Sequence, residues 1–427
     1  MAQTIVTSSK NSRLHHPRRH AAVRTDEYLF SQLIPYIGNK RKLLQLIEEA
    51  VGFTRCGKGT FVDLFTGSTV VARWAKKRGY RVVANDWEPY SHQIALGTVA
   101  LNKVPGFKCL GGVKRVFEHL NSLKPVHGYV ATHLCPHDDD RPDTRRDRMF
   151  FTRANGERID AIGEQLQTWI AGGVLAPEEK AYIDAAFLYA ASYASNTSGV
   201  FKGFHRGWGG KTGTALYRIR GTLGLQRPIL YDNGLRNLAL REDSQCLAGK
   251  LKEVCEGVPE IVYVDPPYNQ HPYGSNYHVL NTIALWDKPP VNPTIVVNGK
   301  KRDKSAIRKD WRTQRRSAYN FAREALGAFE ELIGKIKAKW VLVSYSTDGN
   351  IPVGEMIAAM AKRGQVTVFT QKYKRYRVGN TRYSEKSHNI EFVAVLKVGS
   401  TACMDRVDGI VNAILQQERE NNQNCAG

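Results

Sequence analysis

The stretch TFVDLFTGSTVVARWAKKRGYRVVANDWEP, residues 60–89, constrains the fold more than any other part of the chain. Its apolar runs at 61–64 and 81–85 have the length and the β-branched content of buried strands, and the segment 70–77 between them has helical spacing. A parallel neighbour requires a crossover connection, so a strand, a helix and a second strand in so short a span are typical of a parallel sheet. The sequence therefore predicts an α/β fold.

The rest of the chain divides into a sheet-forming part and a part with a different pattern. Between residues 111 and 225 there are a polar loop at 127–149, a helical stretch at 156–169 and another that starts at Pro177. Strand-like runs return at 229–231, 238–240, 261–264, 340–344, 366–370 and 390–397. These patterns predict a Rossmann-like sheet that the two halves of the chain build together.

The predicted domain organisation follows from this division. Residues 25–110 and 226–400 are expected to form the sheet domain, and residues 111–225 an inserted unit of helices and a hairpin or extended loop. Residues 1–24 are polar and basic without a sustained period, which predicts a disordered arm. The polar tail 401–427 is expected to form at most a loose helix.

Charge and cysteine content narrow the class of protein. The formal net charge is +22, which favours a polyanionic partner, nucleic acid above all. No window approaches the roughly 20 apolar residues that span a bilayer, so no membrane segment is expected. The seven cysteines are an odd number without a CxxC pair, which fits the reducing cytoplasm.

Acidic residues follow several of the predicted strands. The segment DLFTGS, which contains Asp63, Phe65 and Gly67, is a short turn that opens a helix, where backbone N–H groups favour a carboxylate. Asp86 follows the next strand, where an acid can bind ribose hydroxyls, and Asp243 can accept a hydrogen bond from an adenine amine. An ordered set of strand-end acids indicates a nucleoside cofactor, although any single one can be only a turn former.

The segment IVYVDPPYNQHPY, residues 261–273, ends a buried strand with a carboxylate, two prolines and an aromatic ring. An aromatic amine is a poor nucleophile because its lone pair is delocalised into the ring. Asp265 can accept one N–H of such an amine and the carbonyl of Pro266 the other, while Pro267 helps to fix the backbone. Tyr268 offers a face for an extruded base. The alternative is a proline-rich turn that caps a strand.

These motifs resemble the DNA adenine methylase family of the D12 class, which uses S-adenosylmethionine. The DPPY motif, FVDLFTGSTVVA and ANDWEPY resemble its catalytic, glycine-loop and acidic motifs, and PYIGNKRKLL resembles its N-terminal motif. The resemblance covers about residues 28–398 and implies cofactor contacts for Tyr36 and Lys40, with Gly38 between them, and for Asp265. Thr69 departs from the family pattern, which usually has glycine there.

Two basic segments are candidates for DNA contact. Residues 198–217 combine glycines with basic and aromatic side chains, and the DNA-binding candidates are Lys202, His205, Arg206, Trp208 and Lys211. The alternative is that the aromatic rings pack on the inserted helices. The basic run 299–323 is either a solvated face or a second phosphate contact. The cluster His127, His133, Cys135 and His137 matches no standard zinc spacing, so no metal is expected.

The sequence thus predicts a site-specific DNA methyltransferase that acts on the N6 amine of adenine in double-stranded DNA. The resemblance further implies the modification half of a restriction–modification system, with a cognate endonuclease as a candidate partner, and we expect a monomer. Three alternatives remain open. One is N4-cytosine methylation, which uses the same chemistry with serine more often in place of Asp265. The others are RNA adenine methylation and an inactive basic protein on a methyltransferase scaffold.

Overall fold

The computed structural model describes residues 6–7, 26–292, 295–297, 299–301, 303–374, 388–402 and 404–423. The arm predicted at 1–24 lies outside the described residues except for Val6 and Thr7, which pair in parallel with the strand at 364–374. The strands are β1 (Val6–Thr7), β2 (Thr60–Asp63), β3 (Arg81–Asn85), β4 (Leu238–Leu240), β5 (Ile261–Val264), β6 (Val296–Val297), β7 (Lys300–Lys301), β8 (Trp340–Ser346), β9 (Gly364–Lys374) and β10 (His388–Val398).

The main sheet has the order β1-β9-β10-β8-β5-β2-β3-β4, and β6 and β7 form a separate pair. The strands from β8 to β4 pair in parallel, whereas β10 is antiparallel to both of its neighbours. This is the predicted α/β sheet. The strand predicted at 229–231 does not form, since this short run between Pro228 and Asp232 is irregular and Ile229 is exposed.

The helices connect and cover these strands. They are α1 (Glu27–Phe30), α2 (Leu44–Thr54), α3 (Val70–Lys77), α4 (Pro89–Ala95), α5 (Val113–Ser122), α6 (Tyr129–Leu134), α7 (Arg153–Ala171), α8 (Pro177–Ala194), α9 (Leu216–Arg220), α10 (Ser244–Val254), α11 (Tyr273–Asn276), α12 (His278–Leu285), α13 (Ala322–Lys335), α14 (Val353–Ala361) and α15 (Val407–Gln423). None of the helices in the described part of the chain is long and apolar enough to cross a membrane.

Successive side chains of the sheet face opposite sides, and each side is covered by helices. On β2, Phe61 packs with α2 and α3, whereas its neighbour Val62 packs in a core with α10, α13, α14 and α15. The sheet is therefore enclosed on both faces, as parallel sheets require. The helix expected in the tail forms as α15, but it is not loose, because Ile410 and Ile414 are buried in this second core.

Residues 111–225, all of them described, hold α5 to α9 and no strand. The helices α5 to α8 share a third core with α4 and α12, so this unit packs beside the sheet rather than extending it. For residues 198–217 the sequence left a hairpin and an extended loop open, and the segment is a loop: a series of turns leads into α9, and no hairpin forms. Phe201 and Phe204 are buried in the third core, which is the alternative that the sequence left open for the aromatic rings.

Candidate active site

The carboxyl ends of β2, β3, β4 and β5 lie at one edge of the sheet, because these strands are parallel to one another. The strand-end acids therefore converge, as parallel topology requires. A cavity opens at this edge. The residues of its wall that the sequence had singled out are Tyr36, Phe65, Asp86, Asp243, Asp265 and Pro267. The others of that set, Gly38, Lys40, Asp63, Gly67, Pro266 and Tyr268, belong to the same segments of the chain but are not among the residues that line the cavity.

Asp265 is held by a buried lysine that comes from the N-terminal motif. The Nζ of Lys40 lies 2.9 Å from Oδ1 of Asp265, and the two side chains are 3% and 16% exposed. Burial alone would lower the pKa of Lys40, but the carboxylates of Asp265 and Glu391 outweigh it and hold that pKa well above its ordinary value. Burial raises the pKa of Asp265, and Lys40 opposes this rise. The pair keeps a fixed cation directly beneath the carboxylate that follows β5.

Tyr268 lies over the same cation. The Nζ of Lys40 is 5.4 Å from the centroid of the Tyr268 ring, within range of a cation–π interaction. The ring also meets Tyr345 edge to face, with 6.2 Å between the ring centroids. Gly38 has a φ of +76°, and a methyl group at this position would approach the hydroxyl of Tyr268 to 3.1 Å. The N-terminal motif and the DPPY segment are therefore packed against each other.

The carboxylate of Asp86 organises the glycine loop. Its Oδ2 accepts hydrogen bonds from the N–H of Gly67 and the hydroxyl of Ser91, both at 2.9 Å, and its Oδ1 accepts from the N–H of Glu88 at 3.0 Å. A carboxylate oxygen has two lone pairs, so Oδ1 keeps the capacity to accept one more donor. Asp86 thus has a structural role that its position at a strand end did not reveal.

The glycine loop contains two residues with left-handed backbone conformation. Gly67 has a φ of +48°, and a methyl group there would come within 2.7 Å of the Tyr36 ring, so no larger residue fits. Thr69 has a φ of +70° and is fully buried, and its hydroxyl has no hydrogen-bond partner among the described residues. A threonine in this conformation is strained, which explains why glycine is usual there.

Asp63 provides a buried oxygen without a partner. Its Oδ2 accepts from the hydroxyl of Thr66 at 3.1 Å, whereas its Oδ1 has no hydrogen-bond partner in the described part of the chain. The side chain is 1% exposed, and burial raises its pKa to about 8. An orphaned carboxylate oxygen costs free energy unless a donor reaches it, so this atom fits a cationic group of a ligand.

Asp243 lies across the cavity and caps α10. Its Oδ1 accepts from the N–H groups of Gln245 and Cys246 at 2.8 and 3.2 Å. The cap fixes the side chain at the wall of the cavity, where its other oxygen can accept from a ligand amine. The phenol of Tyr36 is stacked on the rings of Tyr273 and Tyr277, at centroid distances of 5.2 and 5.1 Å, and shapes the opposite wall.

Several wall residues were missed from the sequence: Trp87, Glu88, Glu242, Gln245 and the segment Arg316–Tyr319. The last of these belongs to the basic run 299–323, which is not a uniform solvated face. Arg315 is 5% exposed and pairs with Glu88, with 3.5 Å between Nε and Oε2, and with Asp310 at 2.8 Å. Arg308 pairs with Asp310 and Asp287 at 2.8 and 2.6 Å. These two arginines are therefore structural.

The DNA-binding candidates lie outside the cavity, in the loop at 198–217. Lys202, Arg206 and Lys211 are exposed, and Arg206 and Lys211 form no ion pair with any described residue. His205 and Trp208 are half-buried, and the indole N–H of Trp208 donates to the carbonyl of Asp139 at 2.8 Å. Trp208 thus anchors the loop, and a contact between its ring and DNA stays a prediction.

The segment 127–149 is not the continuous loop that the sequence predicts, because it contains the helix α6, whose Val130 and Leu134 are buried in the third core. The start of this segment is tied to α7. The carboxylate of Asp160 accepts from the N–H groups of Gly128, Val130 and Ala131 at 3.1, 2.8 and 2.8 Å. Across the residues that the structure describes, no group of three His, Cys, Asp or Glu side chains is arranged to hold a metal ion.

Comparisons with known proteins agree with this geometry. The sequence profile of the D12 class N6 adenine-specific DNA methyltransferases matches residues 36–220 and 231–338. Type II methyltransferase M.FokI of Planomicrobium okeanokoites is 28% identical over 365 residues, which cover 84% of this chain and 52% of that protein. Modification methylase StsI of Streptococcus sanguinis is 27% identical over 366 residues, covering 84% of this chain and 51% of that protein.

A shorter relative aligns over nearly its whole length. Type II methyltransferase M.NlaIII of Neisseria lactamica is 26% identical over 368 residues, which cover 85% of this chain and 98% of that protein. The chain thus spans about half the length of the first two relatives. No solved structure matches the chain. The profile match extends over most of the sequence, from the N-terminal motif through the DPPY segment to the start of β8. The chain therefore belongs to the family of D12 class N6 adenine-specific DNA methyltransferases.

Proposed function

We propose that this protein transfers a methyl group from S-adenosylmethionine to the N6 amine of adenine in double-stranded DNA, as the modification enzyme of a restriction–modification system. The observation that carries the proposal is the position of Asp265, which follows β5 at the mouth of an acid-lined cavity and is held there by Lys40. The names of the relatives, Type II methyltransferases and modification methylases, support the same activity.

The residues of the DPPY segment activate the amine in this proposal. The carboxylate of Asp265 accepts one N–H of the amine and the carbonyl of Pro266 the other, which draws the nitrogen toward tetrahedral geometry and frees its lone pair. The same two acceptors stabilise the positive charge that develops on the nitrogen during transfer. Tyr268 holds the extruded base by stacking. Lys40 favours the charged form of Asp265, against the rise in pKa that burial causes, and fixes its orientation.

The cavity fits S-adenosylmethionine, which supplies an electrophilic methyl group when it is bound. The orphaned Oδ1 of Asp63 suits the ammonium of the methionine part, and the tight glycine turn at Gly67 leaves room beside the backbone. Asp86 has one lone pair left for a ribose hydroxyl, and the free oxygen of Asp243 suits the adenine amine. The rings of Trp87 and Tyr319 provide flat walls for the nucleoside.

Cofactor affinity is expected to depend on pH through Asp63. The pKa of this group is raised to about 8, so it is mostly protonated at pH 6, and an arriving ammonium favours its ionised form. Binding should release up to one proton, and affinity should rise by up to about tenfold per pH unit between pH 6 and 8. Calorimetry with S-adenosylhomocysteine in two buffers of different ionisation enthalpy measures the proton release. The variant Asp63→Asn should lose this pH dependence, and an unchanged slope in that variant would rule Asp63 out.

We assign DNA recognition to residues 111–225, and within them to the exposed cations of the 198–217 loop. A base contact by Arg206 predicts that Arg206→Ala costs about 1–3 kcal/mol on the cognate site and less on other DNA. A phosphate contact by Lys211 predicts that Lys211→Ala weakens all sequences equally and lowers the salt slope by about one. Titrations of cognate and random duplexes across a salt series separate the two outcomes. If both variants bind cognate and random duplexes as the parent does, this loop does not recognise DNA and another surface must do so.

Expression in a host without adenine methylation, followed by sequencing with modified-base detection, tests the proposed function. The expected result is N6-methyladenine at one short sequence, and none in a host that expresses Asp265→Ala. If the modified base is instead N4-methylcytosine at a defined site, the substrate is cytosine and not adenine. Unmodified DNA from a host that contains folded parent protein would overturn the proposal. A restriction endonuclease encoded near the gene would support the assignment to a modification system.

A further inference from the structure

A short turn connects the wall of the cavity to residues 265–269, the DPPY segment with Asn269, which are called the catalytic loop below. Residues Ala318–Asn320 form a single 3₁₀ turn, in which the N–H of Asn320 donates to the carbonyl of Ser317 at 3.2 Å. Ser317, Ala318 and Tyr319 all contribute to the cavity wall. The ring of Tyr319 meets the ring of Phe65 edge to face at 5.8 Å, so the turn faces the glycine loop across the cavity.

The side chain of Asn320 points from this turn to the segment that follows the DPPY motif. Its Nδ2 donates to the backbone carbonyl of Asn269 at 2.6 Å, and Asn320 is 5% exposed. Asn269 directly follows Tyr268 in the chain. A buried amide that is bonded to a backbone carbonyl restricts the path of the chain at that point, because breaking the bond leaves a buried polar group unsatisfied.

Asn350, from the turn after β8, completes the connection on the other side. Its N–H donates to the carbonyl of Tyr268 at 3.0 Å, and its Nδ2 donates to the carbonyl of Tyr319 at 2.9 Å. Tyr268, Asn269, Tyr319, Asn320 and Asn350 therefore form a closed circuit of hydrogen bonds and peptide links. Two asparagine side chains join the catalytic loop to the cavity wall.

The other end of the same segment is also fixed. Arg315 is paired with Glu88, which lies two residues beyond Asp86 at the end of β3. Residues 315–320 therefore run from the end of β3 to the catalytic loop and form part of the cavity wall between these two anchors. This part of the cavity wall is therefore connected to both the end of β3 and the catalytic loop.

We propose that Asn320 is a positioning residue for methyl transfer, and that a nucleoside cofactor in the cavity fixes the catalytic loop through the turn 318–320 and the Asn320–Asn269 hydrogen bond. The inference rests on the proposed function, since it takes the cavity as the cofactor site and Tyr268 as the receiver of the base. It predicts that cofactor binding restricts the motion of the catalytic loop before the base binds. This restriction should be lost when the side-chain amide of Asn320 is removed.

Hydrogen exchange of the segment 265–276 measures how far the cofactor restricts the motion of the catalytic loop. In the parent protein, S-adenosylhomocysteine should slow exchange in this segment by about tenfold, the effect of roughly one hydrogen bond. The isosteric variant Asn320→Asp places an oxygen against the Asn269 carbonyl and should lose the effect, while its calorimetric affinity for S-adenosylhomocysteine stays within about threefold of the parent. The matched control is Gln314→Ala, an exposed amide on the same segment, which should behave as the parent does.

Single-turnover methylation of unmethylated genomic DNA gives the second measurement. Asn320→Asp should lower the rate constant by about tenfold or more at saturating cofactor. If S-adenosylhomocysteine slows exchange in Asn320→Asp as much as in the parent, the inference is wrong. It is also wrong if the cofactor affinity of Asn320→Asp falls by the same factor as the rate constant. If Asn320→Asp does not fold, Asn350→Asp breaks the same circuit at Tyr319 and has the same expected results. The exchange measurement needs no DNA. A parent protein that fails to methylate DNA would therefore contradict the proposed function, while the exchange measurement would still test the connection between the cofactor and the catalytic loop.

Discussion

Replacing Asp265 by alanine is expected to lower the single-turnover rate of methyl transfer by at least about 10²–10³-fold, because the carboxylate stabilises the charge that develops on the amine. DNA binding should remain largely intact, since Asp265 holds no phosphate. The structure adds a second expected effect, on folding. Removal of Asp265 leaves Lys40, which is 3% exposed, without its nearest counter-ion. We expect a loss of about 3–5 kcal/mol in the free energy of unfolding, measured by urea denaturation.

The double variant Asp265→Ala/Lys40→Met separates the two effects. It removes both charges, so most of the stability should return while methyl transfer stays absent. Asp265→Asn is the conservative control, because it keeps the shape of the side chain and one acceptor oxygen. Parent-like turnover by Asp265→Ala would be incompatible with the mechanism. Full stability of Asp265→Ala would show that Lys40 finds another partner, for which Glu391 is the nearest candidate.

The second large effect is expected at Arg315, in the run that the sequence presented as basic surface. Arg315→Ala leaves Glu88, 3% exposed, without a cation, and should destabilise the fold by about 3–5 kcal/mol at pH 8. Burial already raises the pKa of Glu88 to about 7, and Arg315 opposes that rise. Without Arg315 the pKa rises further, so the variant folds best with Glu88 protonated. Its stability should therefore fall as the pH rises from 6 to 8.

Urea denaturation at pH 6 and 8 checks this prediction. Arg316→Ala is the matched control on the neighbouring residue, whose side chain is 42% exposed and pairs with the exposed Glu324. We expect little change in its denaturation midpoint at either pH, because exposed ion pairs contribute little. Equal effects of the two substitutions would show that Arg315 is not buried in solution.

The sequence predicted the elements whose pattern is local. The strands and the helix within residues 60–89 form where the spacing of apolar residues indicated, and the acids after β2 to β5 converge as parallel topology requires. A helix in the tail was expected, but its packing on the core was not. Val407, Ile410 and Ile414 have helical spacing and are buried, whereas the polar composition of the tail indicated only a loose helix. The run 229–231 has residues that are common in strands, but it forms no strand. Strand formation depends on the neighbouring segments that are available for hydrogen bonding as well as on the propensity of the residues.

The features that the sequence could not supply depend on contacts between distant segments. Asp310 lies near both arginines in the sequence, but a nearby acid is common in a basic run and does not indicate burial. The pairs of Arg308 with Asp287 and of Arg315 with Glu88 join distant segments and form only on folding. Asp86 was chosen correctly as a strand-end acid, yet its hydrogen bonds to the glycine loop follow from the backbone path. Nothing in the sequence indicated a role for Asn320, because single asparagines are common in loops and turns.

The position of β5 between β2 and β8 has a consequence for biosynthesis. β2 and β3 leave the ribosome long before β5, and at typical elongation rates the delay is about 10–40 s. During this time the edge of β2 that will pair with β5 is open to other strands, a recognised hazard for aggregation. The helices of residues 111–225 are made in the interval and can form from local contacts. Co-expression of chaperones should therefore favour soluble product by covering this edge until β5 is made.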